Sequence, residues 1–315
     1  MKPSGNNYVK LLRVLFGIMI SVLSISNTPI LLAQNTDDSE PRHTIVIGEI
    51  DNDPEKKIRQ LQPLADYLAE NLSAVGIMAG EVRIAPDLDT MISWFEQGEI
   101  DLYFDSLYPA LLVSDATDAQ PILRRWKDGV GEYHSIFFTL PRTDYTSVAD
   151  LQGGLVALDE PVSTSGFLVP ISYLIQQNLT VVERSSSSAS VAADEIGYVF
   201  SGDDENTIQW VFSRRVRAGV VDSETFRDIP ENVRSQIVIL AETDPVPRQV
   251  TLASPHLPPE MIETLTTLLL ELDETDEGLD ILDRMKTSRF DELPTDFDDT
   301  LADMRVLIEL VQDNE

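Results

Sequence analysis

The sequence contains no cysteine, and this absence excludes several kinds of site together. There is no disulfide framework, no thiolate metal site, no cysteine nucleophile and no cysteine near the N-terminus that could carry a lipid. Basic residues are also scarce, because 23 Lys and Arg stand against 54 Asp and Glu, for a formal net charge of -31. Binding of nucleic acid requires a basic surface, so we expect no nucleic-acid partner.

Motifs of catalysis and of cofactor binding are absent as well. The chain has no Gly-x-Ser-x-Gly, no His-Glu-x-x-His, no Walker loop and no Gly-x-Gly-x-x-Gly. Carboxylate pairs are frequent only because acidic residues are frequent. We therefore predict a protein that is not an enzyme and that holds no cofactor and no metal.

The N-terminus has the order of a secretory signal. Three cations within the first 13 residues precede an apolar run over 14–20, small and polar residues follow, and Ala33 offers a cleavage point. We predict a signal peptide over 1–33 and a flexible leader over 34–43, which implies a periplasmic or otherwise extracytoplasmic location. Leu31 is large for a processing site, so an uncleaved membrane anchor is the alternative, although the apolar run is shorter than the ~20 residues of a membrane span.

The first part of the chain alternates strands with helices. The run over 44–50 predicts a buried strand, and Asp53-Pro54 is typical of a helix start. Apolar residues then recur at three- and four-residue spacing from Ile58 to Leu72, which predicts a helix on one face of a sheet. Pro63 falls inside this helix, where we expect a bend or the true helix start. Shorter patterns predict a strand at 82–85, a helix at 88–96 and a strand at 100–104.

The alternation restarts after an extended segment at 132–140, which implies a second α/β unit. The later patterns predict strands at 154–158, 219–221, 237–241 and 249–253, and helices at 166–177, 207–216, 259–272, 277–285 and 297–311. We predict a first lobe over 44–138, a second lobe over 139–243 and a return to the first lobe over 244–315. Two crossings between lobes are typical of a hinge that closes on a ligand.

One loop offers a receptor for an anion. Ser163, Thr164 and Ser165 supply three hydroxyls, and the backbone amides up to Gly166 lie at a predicted helix start. Free N–H groups at a helix N-terminus attract oxyanions. Ordinary helix capping by serine or threonine is the alternative interpretation.

The loop Ser163-Thr164-Ser165-Gly166 resembles the Ser-Thr-Ser-Gly loop of the phosphate/phosphite/phosphonate-binding proteins of ABC transporters. The likeness extends in consistent order over about 44–290, and it includes 98–108, 151–153, 218–222, 244–247 and 257–259. It implies an α/β, two-lobed periplasmic-binding-protein fold of type II, with a mixed sheet flanked by helices in each lobe and two crossover segments. It also implies a monomer that binds a small molecule and serves an ABC transporter permease.

The resemblance also implies ligand residues outside the loop. The family's first-lobe tyrosine matches Tyr108, with Ser106 nearby, but the usual Gly-Pro turn is replaced by one that contains Asp105. At the start of the second-lobe helix, Asp204 stands where the family usually has a histidine, and we place Asp222 in the site as well.

A carboxylate within ~4 to 6 Å of a bound phosphonate would repel it. We therefore expect a ligand with both a cationic and an anionic group, or one that is not a phosphonate. The predicted function is capture of a small oxyanion-containing ligand for ABC-type uptake. The alternative is a ligand-sensing module of the same fold that signals through a membrane partner.

Overall fold

The computed structural model describes residues 43–141 and 145–314. The predicted signal over 1–33, and the predicted leader apart from His43, lie outside the described residues. Among the residues that are described, no helix combines the length and the apolar composition needed to cross a bilayer.

Fourteen strands are present in the described ranges. In chain order they are β1 Thr44–Ile50, β2 Ala79–Ala85, β3 Leu102–Asp105, β4 Gln120–Lys127, β5 Glu132–Tyr133, β6 Ser135–Thr139, β7 Gly154–Leu158, β8 Thr180–Glu183, β9 Glu195–Phe200, β10 Ala218–Asp222, β11 Val238–Glu242, β12 Val246–Pro247, β13 Gln249–Ala253 and β14 Thr287–Asp291. The α-helices are α1 Pro54–Asn71, α2 Leu88–Glu96, α3 Leu107–Thr117, α4 Val169–Gln176, α5 Asp204–Phe212, α6 Ser223–Asp228, α7 Glu231–Arg234, α8 Pro259–Leu270, α9 Asp276–Arg284 and α10 Phe297–Gln312. A π-helical turn at Thr164–Leu168 leads directly into α4, and short 3-10 turns occupy Ser73–Val75, Val148–Leu151 and Leu272–Glu274.

The strands form two six-stranded mixed sheets and one small ribbon. The first sheet has the order β14-β4-β13-β3-β1-β2, and the second has the order β11-β6-β10-β7-β9-β8. In the first sheet β1 pairs parallel with β2 and β3, and β13 pairs antiparallel with β3. In the second sheet β7 pairs parallel with β9 and β10, and β6 pairs antiparallel with β10. The predicted two-lobed α/β fold with a mixed sheet in each lobe is confirmed.

Helix α1 forms as its sequence pattern predicts. The Asp53 side chain accepts the Lys56 N–H at 3.1 Å, and Pro54 occupies the first turn, where no amide donor is needed. The apolar face buries Leu61, Leu64 and other residues against the first sheet. The helix is continuous from Pro54, so the expectation of a helix start at Pro63 is wrong. Pro63 is accommodated as one interior residue of the helix.

The chain passes between the two sheets twice, at 128–134 and at 243–248. The crossings are joined to each other, because β5 and β12 pair antiparallel with Tyr133 opposite Val246. The Ser135 carbonyl accepts the Thr243 N–H at 3.0 Å, and the Thr243 hydroxyl accepts the Ser135 N–H at 3.0 Å. Two adjacent crossings that share hydrogen bonds have the form of a hinge.

Helix α10 contacts both lobes. Its apolar residues Leu301 and Met304 belong to the same buried cluster as Ile171 of α4 in the second lobe. On its other side, Arg305 forms a bidentate ion pair with Asp115 of α3 in the first lobe, at 2.6 and 3.0 Å. The last helix therefore packs across the two lobes, whereas α8 and α9 pack within the first-lobe core.

Candidate functional site

A cavity of about 690 Å³ lies between the two lobes. The carboxyl ends of β1 and β3 reach it from the first sheet, and the segments after β7 and β9 reach it from the second. This is the edge where open α/β sheets generally bind ligands, since the loops after the strand ends leave a crevice there. The cavity is thus the candidate binding site.

The two walls of the cavity differ in charge. The second-lobe wall carries five acidic residues, and among its described lining residues there is no lysine or arginine. These acids are Asp159, Glu160, Asp203, Asp204 and Glu205. The first-lobe wall combines three lysines with three acids, namely Lys56, Lys57, Lys127, Glu49, Asp51 and Asp105. A ligand in the cavity would therefore meet mixed charge on one side and negative charge on the other.

Most charges of the first-lobe wall are already paired. Lys57 contacts Glu49, and its ammonium lies 3.3 Å from Asp51. The Asp105 carboxylate accepts the Ser106 N–H at 2.6 Å and the hydroxyl of the buried Tyr103. Burial raises the pKa of Asp105 above its ordinary value. These contacts hold the loops after β1 and β3 in place.

Lys127 is different, because no carboxylate of the described residues lies within 4.0 Å of its ammonium. Burial, together with the nearby charges of Arg248 and Arg125, lowers the pKa of Lys127 to about 8. The group still carries its charge at neutral pH, and it lines the cavity.

The Ser163–Gly166 loop makes its hydrogen bonds within the protein. The Ser163 hydroxyl accepts the Gly166 N–H at 3.0 Å, and Thr164 Oγ1 accepts the Tyr108 N–H at 2.8 Å across the two lobes. The Ser165 carbonyl accepts the Ser135 hydroxyl at 2.7 Å. Thr164 is completely buried, and Ser163 alone of the four predicted loop residues lines the cavity. In this arrangement the loop links the lobes.

Asp159 lies against this loop. Its carboxylate is hydrogen-bonded to the Ser163 side chain, and a Cβ added at Gly166 would lie 2.4 Å from the Asp159 Cβ. Only glycine allows that approach. Burial, with the charges of Asp203 and Asp222, raises the pKa of Asp159. The protein thus places a carboxyl group of its own at the helix start where the sequence predicts an oxyanion receptor.

Asp204 lines the cavity and also belongs to a polar network with Thr225 and Asp222. Thr225 Oγ1 donates to Asp204 Oδ2 at 2.8 Å and lies 3.2 Å from Asp222 Oδ2. Asp222 caps α6 through the Glu224 N–H at 2.8 Å and approaches Arg248 Nη1 at 3.4 Å. Burial, with the charges of Asp159 and Asp222, raises the pKa of Asp204 to about 7. Near neutral pH this carboxyl group is therefore protonated in part of the molecules.

The structure brings most of the predicted site residues to one region. Asp105, Ser106, Ser163 and Asp204 line the cavity, whereas Thr164, Ser165, Gly166 and Asp222 are buried behind its wall, and Tyr108 joins the lobes through its amide. Sequence reasoning missed Lys127, Gln249 and Asp159 as wall residues. The sequence does place Asp159 directly after a predicted buried strand, and that position is the signal that could have identified it.

A family model matches residues 50–297 of the 315, and its description is "ABC transporter, phosphonate, periplasmic substrate-binding protein". Solved structures also resemble the chain over most of its length. XAC2383 from Xanthomonas citri, solved bound to chloride ion, is 26% identical with a TM-score of 0.82, and the match covers 87% of this chain and 100% of that one. The same protein bound to ATP matches at 25% identity with a TM-score of 0.81, over 87% of this chain and 99% of that one.

A more distant match is similar in fold. PhnD1 from Prochlorococcus marinus, in complex with methylphosphonate, is 18% identical with a TM-score of 0.64, and the match covers 85% of this chain and 99% of that one.

Proposed function

Since the chain belongs to the phosphonate-binding family of ABC-transporter periplasmic substrate-binding proteins, we propose that it captures a small ligand carrying both an anionic and a cationic group. The ligand binds in the cleft between the lobes and is delivered to an ABC permease. Membership of this family places the protein outside the cytoplasm, and we propose that the segment 1–33 directs its export.

The unequal charge of the two cavity walls carries this proposal. Five acids on the second-lobe wall favour a cationic group, because an ammonium can form charge-assisted hydrogen bonds to carboxylates. The same acids disfavour a purely anionic ligand, since like charges 4 Å apart repel by about 4 kcal/mol at an effective dielectric constant of 20. A ligand that presents its anionic group to the first lobe and its cationic group to the second satisfies both walls.

Isothermal titration calorimetry with a matched pair of probes tests the proposal. Aminomethylphosphonate and methylphosphonate differ only by the ammonium group. A charged hydrogen bond contributes about 1.5–3 kcal/mol, so we expect the amino compound to bind at least roughly tenfold more tightly. Phosphate, phosphite and ATP complete the panel, the last because the similar protein from X. citri was solved with it. Tight binding of phosphate or phosphite, with no gain from the amino group, would contradict the proposal.

A further inference from the structure

The second lobe contains another cavity, of about 640 Å³, at the end of its sheet that faces away from the cleft. Strands β7, β9 and β10 run parallel, and the segments after β7 and β9 line the cleft. The new cavity is lined instead by Gly153 and Gly154, where β7 begins, and by Arg217, which directly precedes β10. No residue of the described ranges lines both cavities, so this one is separate from the candidate ligand site.

Three arginines line this cavity, namely Arg214, Arg215 and Arg217, and we call it the arginine cavity. Among its described lining residues there is no aspartate or glutamate. None of the three guanidinium groups lies within 4.0 Å of a carboxylate of a described residue, although the chain has 54 acidic residues against 23 basic ones. A guanidinium keeps its charge at any physiological pH and has five N–H donors. In a strongly acidic protein, the arginine cavity therefore concentrates positive charge that the described residues leave without a counter-charge.

The side chain of Arg217 is held in place by its surroundings. Its Nη1 donates to the Gln152 carbonyl at 2.6 Å, and its guanidinium carbon lies 5.8 Å from the centroid of the Tyr145 ring. A Cβ added at Gly154 would lie 2.0 Å from the Arg217 Cδ, so the arginine rests directly on the backbone of β7. Its other guanidinium donors make no hydrogen bond to a described residue, which leaves them available to a ligand.

Arg214 and Arg215 reach the same cavity from the end of α5. The Arg215 Nε donates to the Ser187 hydroxyl, and its guanidinium carbon lies 4.4 Å from the centroid of the Trp210 ring. Arg214 has a φ of +57°, in the left-handed region, where a helix usually ends on glycine or asparagine. A residue with a Cβ is disfavoured in that conformation. Backbone geometry therefore does not account for an arginine at position 214, whereas a role for its charge beside the cavity would.

The floor of the arginine cavity is apolar. It consists of Leu140, Leu155, Val191, Val211 and Val216, which all belong to or pack against one buried cluster of the second lobe. Sites for small molecules generally have volumes of about 300–1,000 Å³ and combine an apolar lining with a few polar groups. An apolar floor beside three cations favours an anion that also has an apolar part.

We propose that the arginine cavity is a second binding site, and that it takes an organic phosphate monoester with an apolar body. Arginine forms bidentate hydrogen bonds to phosphate, and the two negative charges of a monoester suit three guanidinium groups. The apolar body then lies on the floor of the cavity. Since the arginine cavity is separate from the cleft, the assignment does not depend on which ligand the cleft binds.

Calorimetry with phenyl phosphate at about pH 8 tests this site, because a phosphate monoester carries two charges above its second pKa of about 6. We expect Arg214→Gly and Arg215→Met each to bind the probe at least roughly tenfold more weakly than the wild type, since each removes charge-assisted hydrogen bonds. Glycine suits the left-handed backbone at position 214, so that variant keeps its fold. Arg227→Met is the matched control, since it removes one charge from α6 of the same lobe and does not line the arginine cavity.

Amide resonances in NMR spectra show where the probe binds. Phenyl phosphate should shift the N–H signals of Gly153 and Gly154, which line the arginine cavity, and leave in place that of Gly202, which lines the cleft. Inorganic phosphate lacks the apolar body, so it should shift the Gly153 and Gly154 signals only at concentrations at least roughly tenfold higher.

Several results would overturn the assignment. Absence of binding in the wild type would do so, and shifts at Gly202 without shifts at Gly153 and Gly154 would place the probe in the cleft. Wild-type affinity in both variants would show that Arg214 and Arg215 do not hold the probe. A Tm lowered by more than about 5 °C in both variants would make these arginines structural residues at the end of α5. Each of these results would leave the proposed function of the cleft unaffected.

Discussion

Replacing Asp204 by asparagine is expected to stabilise the protein in a pH-dependent way. Burial and the charges of Asp159 and Asp222 raise the pKa of Asp204 from 3.8 to about 7. Asparagine has the same shape without the charge, and its side-chain oxygen can still accept the Thr225 hydroxyl, which donates to Asp204 at 2.8 Å. The substitution therefore removes a costly charge and keeps the contact.

The sign and the size of the stabilisation by Asp204→Asn follow from proton linkage. Between about pH 4 and 7 the folded protein holds a proton on Asp204 that the unfolded chain releases, so wild-type stability falls as pH rises through this range. Below about pH 4 both states are protonated and the cost is absent. Above about pH 7 the full cost is present, and a shift of about three pKa units corresponds to a ceiling of about 4 kcal/mol at 1.36 kcal/mol per unit.

Urea unfolding of the ligand-free proteins from pH 4 to pH 9 measures this difference. The free energy of unfolding of Asp204→Asn should exceed that of the wild type by an amount that grows up to about pH 7 and then stays level. Asp203→Asn is the control, because Asp203 is exposed, and asparagine caps α5 as well as aspartate does. The reasoning would be refuted if the free energy of unfolding had the same pH dependence in the wild type and in Asp204→Asn. It would also be refuted if Asp203→Asn raised the free energy of unfolding as much as Asp204→Asn does.

Two further substitutions test the packing of the lobes. Gly80→Ala should lower the free energy of unfolding by about 1–3 kcal/mol, because the added Cβ would lie 2.1 Å from the Ala65 carbonyl oxygen of α1. Urea unfolding measures this loss, and an unchanged urea midpoint would contradict the close packing of α1 on β2. Arg305→Ala should cost less than about 1 kcal/mol, since both partners of the Arg305–Asp115 ion pair are more than 40% exposed. A loss above about 2 kcal/mol would mean that this contact between α10 and α3 stabilises the fold far more than its exposure indicates.

The fold was predictable where local patterns and packing agree. Strand β1, with five successive buried residues, and helix α1, with a capping aspartate and a periodic apolar face, both lie where the sequence predicts them. Strand β4 was not predicted, because Arg124, Arg125 and Lys127 give it the composition of a loop. It is a strand because it pairs with β13 and β14, which are more than 100 residues away in the chain.

The site was predictable only in part, because some of its residues are positioned by contacts between segments that are far apart in the chain. The place of Asp105 and Asp204 on the cavity wall follows from their positions at the end of β3 and at the start of α5. The place of Lys127 on the cavity wall depends on β4, so it could not be foreseen. The approach of Asp159 to the Ser163–Gly166 loop depends on the backbone at Gly166, and a motif carries no such information. The resemblance to the phosphonate-binding family, which the sequence motifs indicated, is confirmed by the family match over 50–297.

A crystal structure of the protein grown with aminomethylphosphonate would test the central claim most directly. We predict the ligand between the two lobes, with its ammonium within hydrogen-bonding distance of one of the five second-lobe acids of the cavity wall. A ligand bound outside this cleft, or one whose ammonium contacts none of the second-lobe acids, would contradict the account.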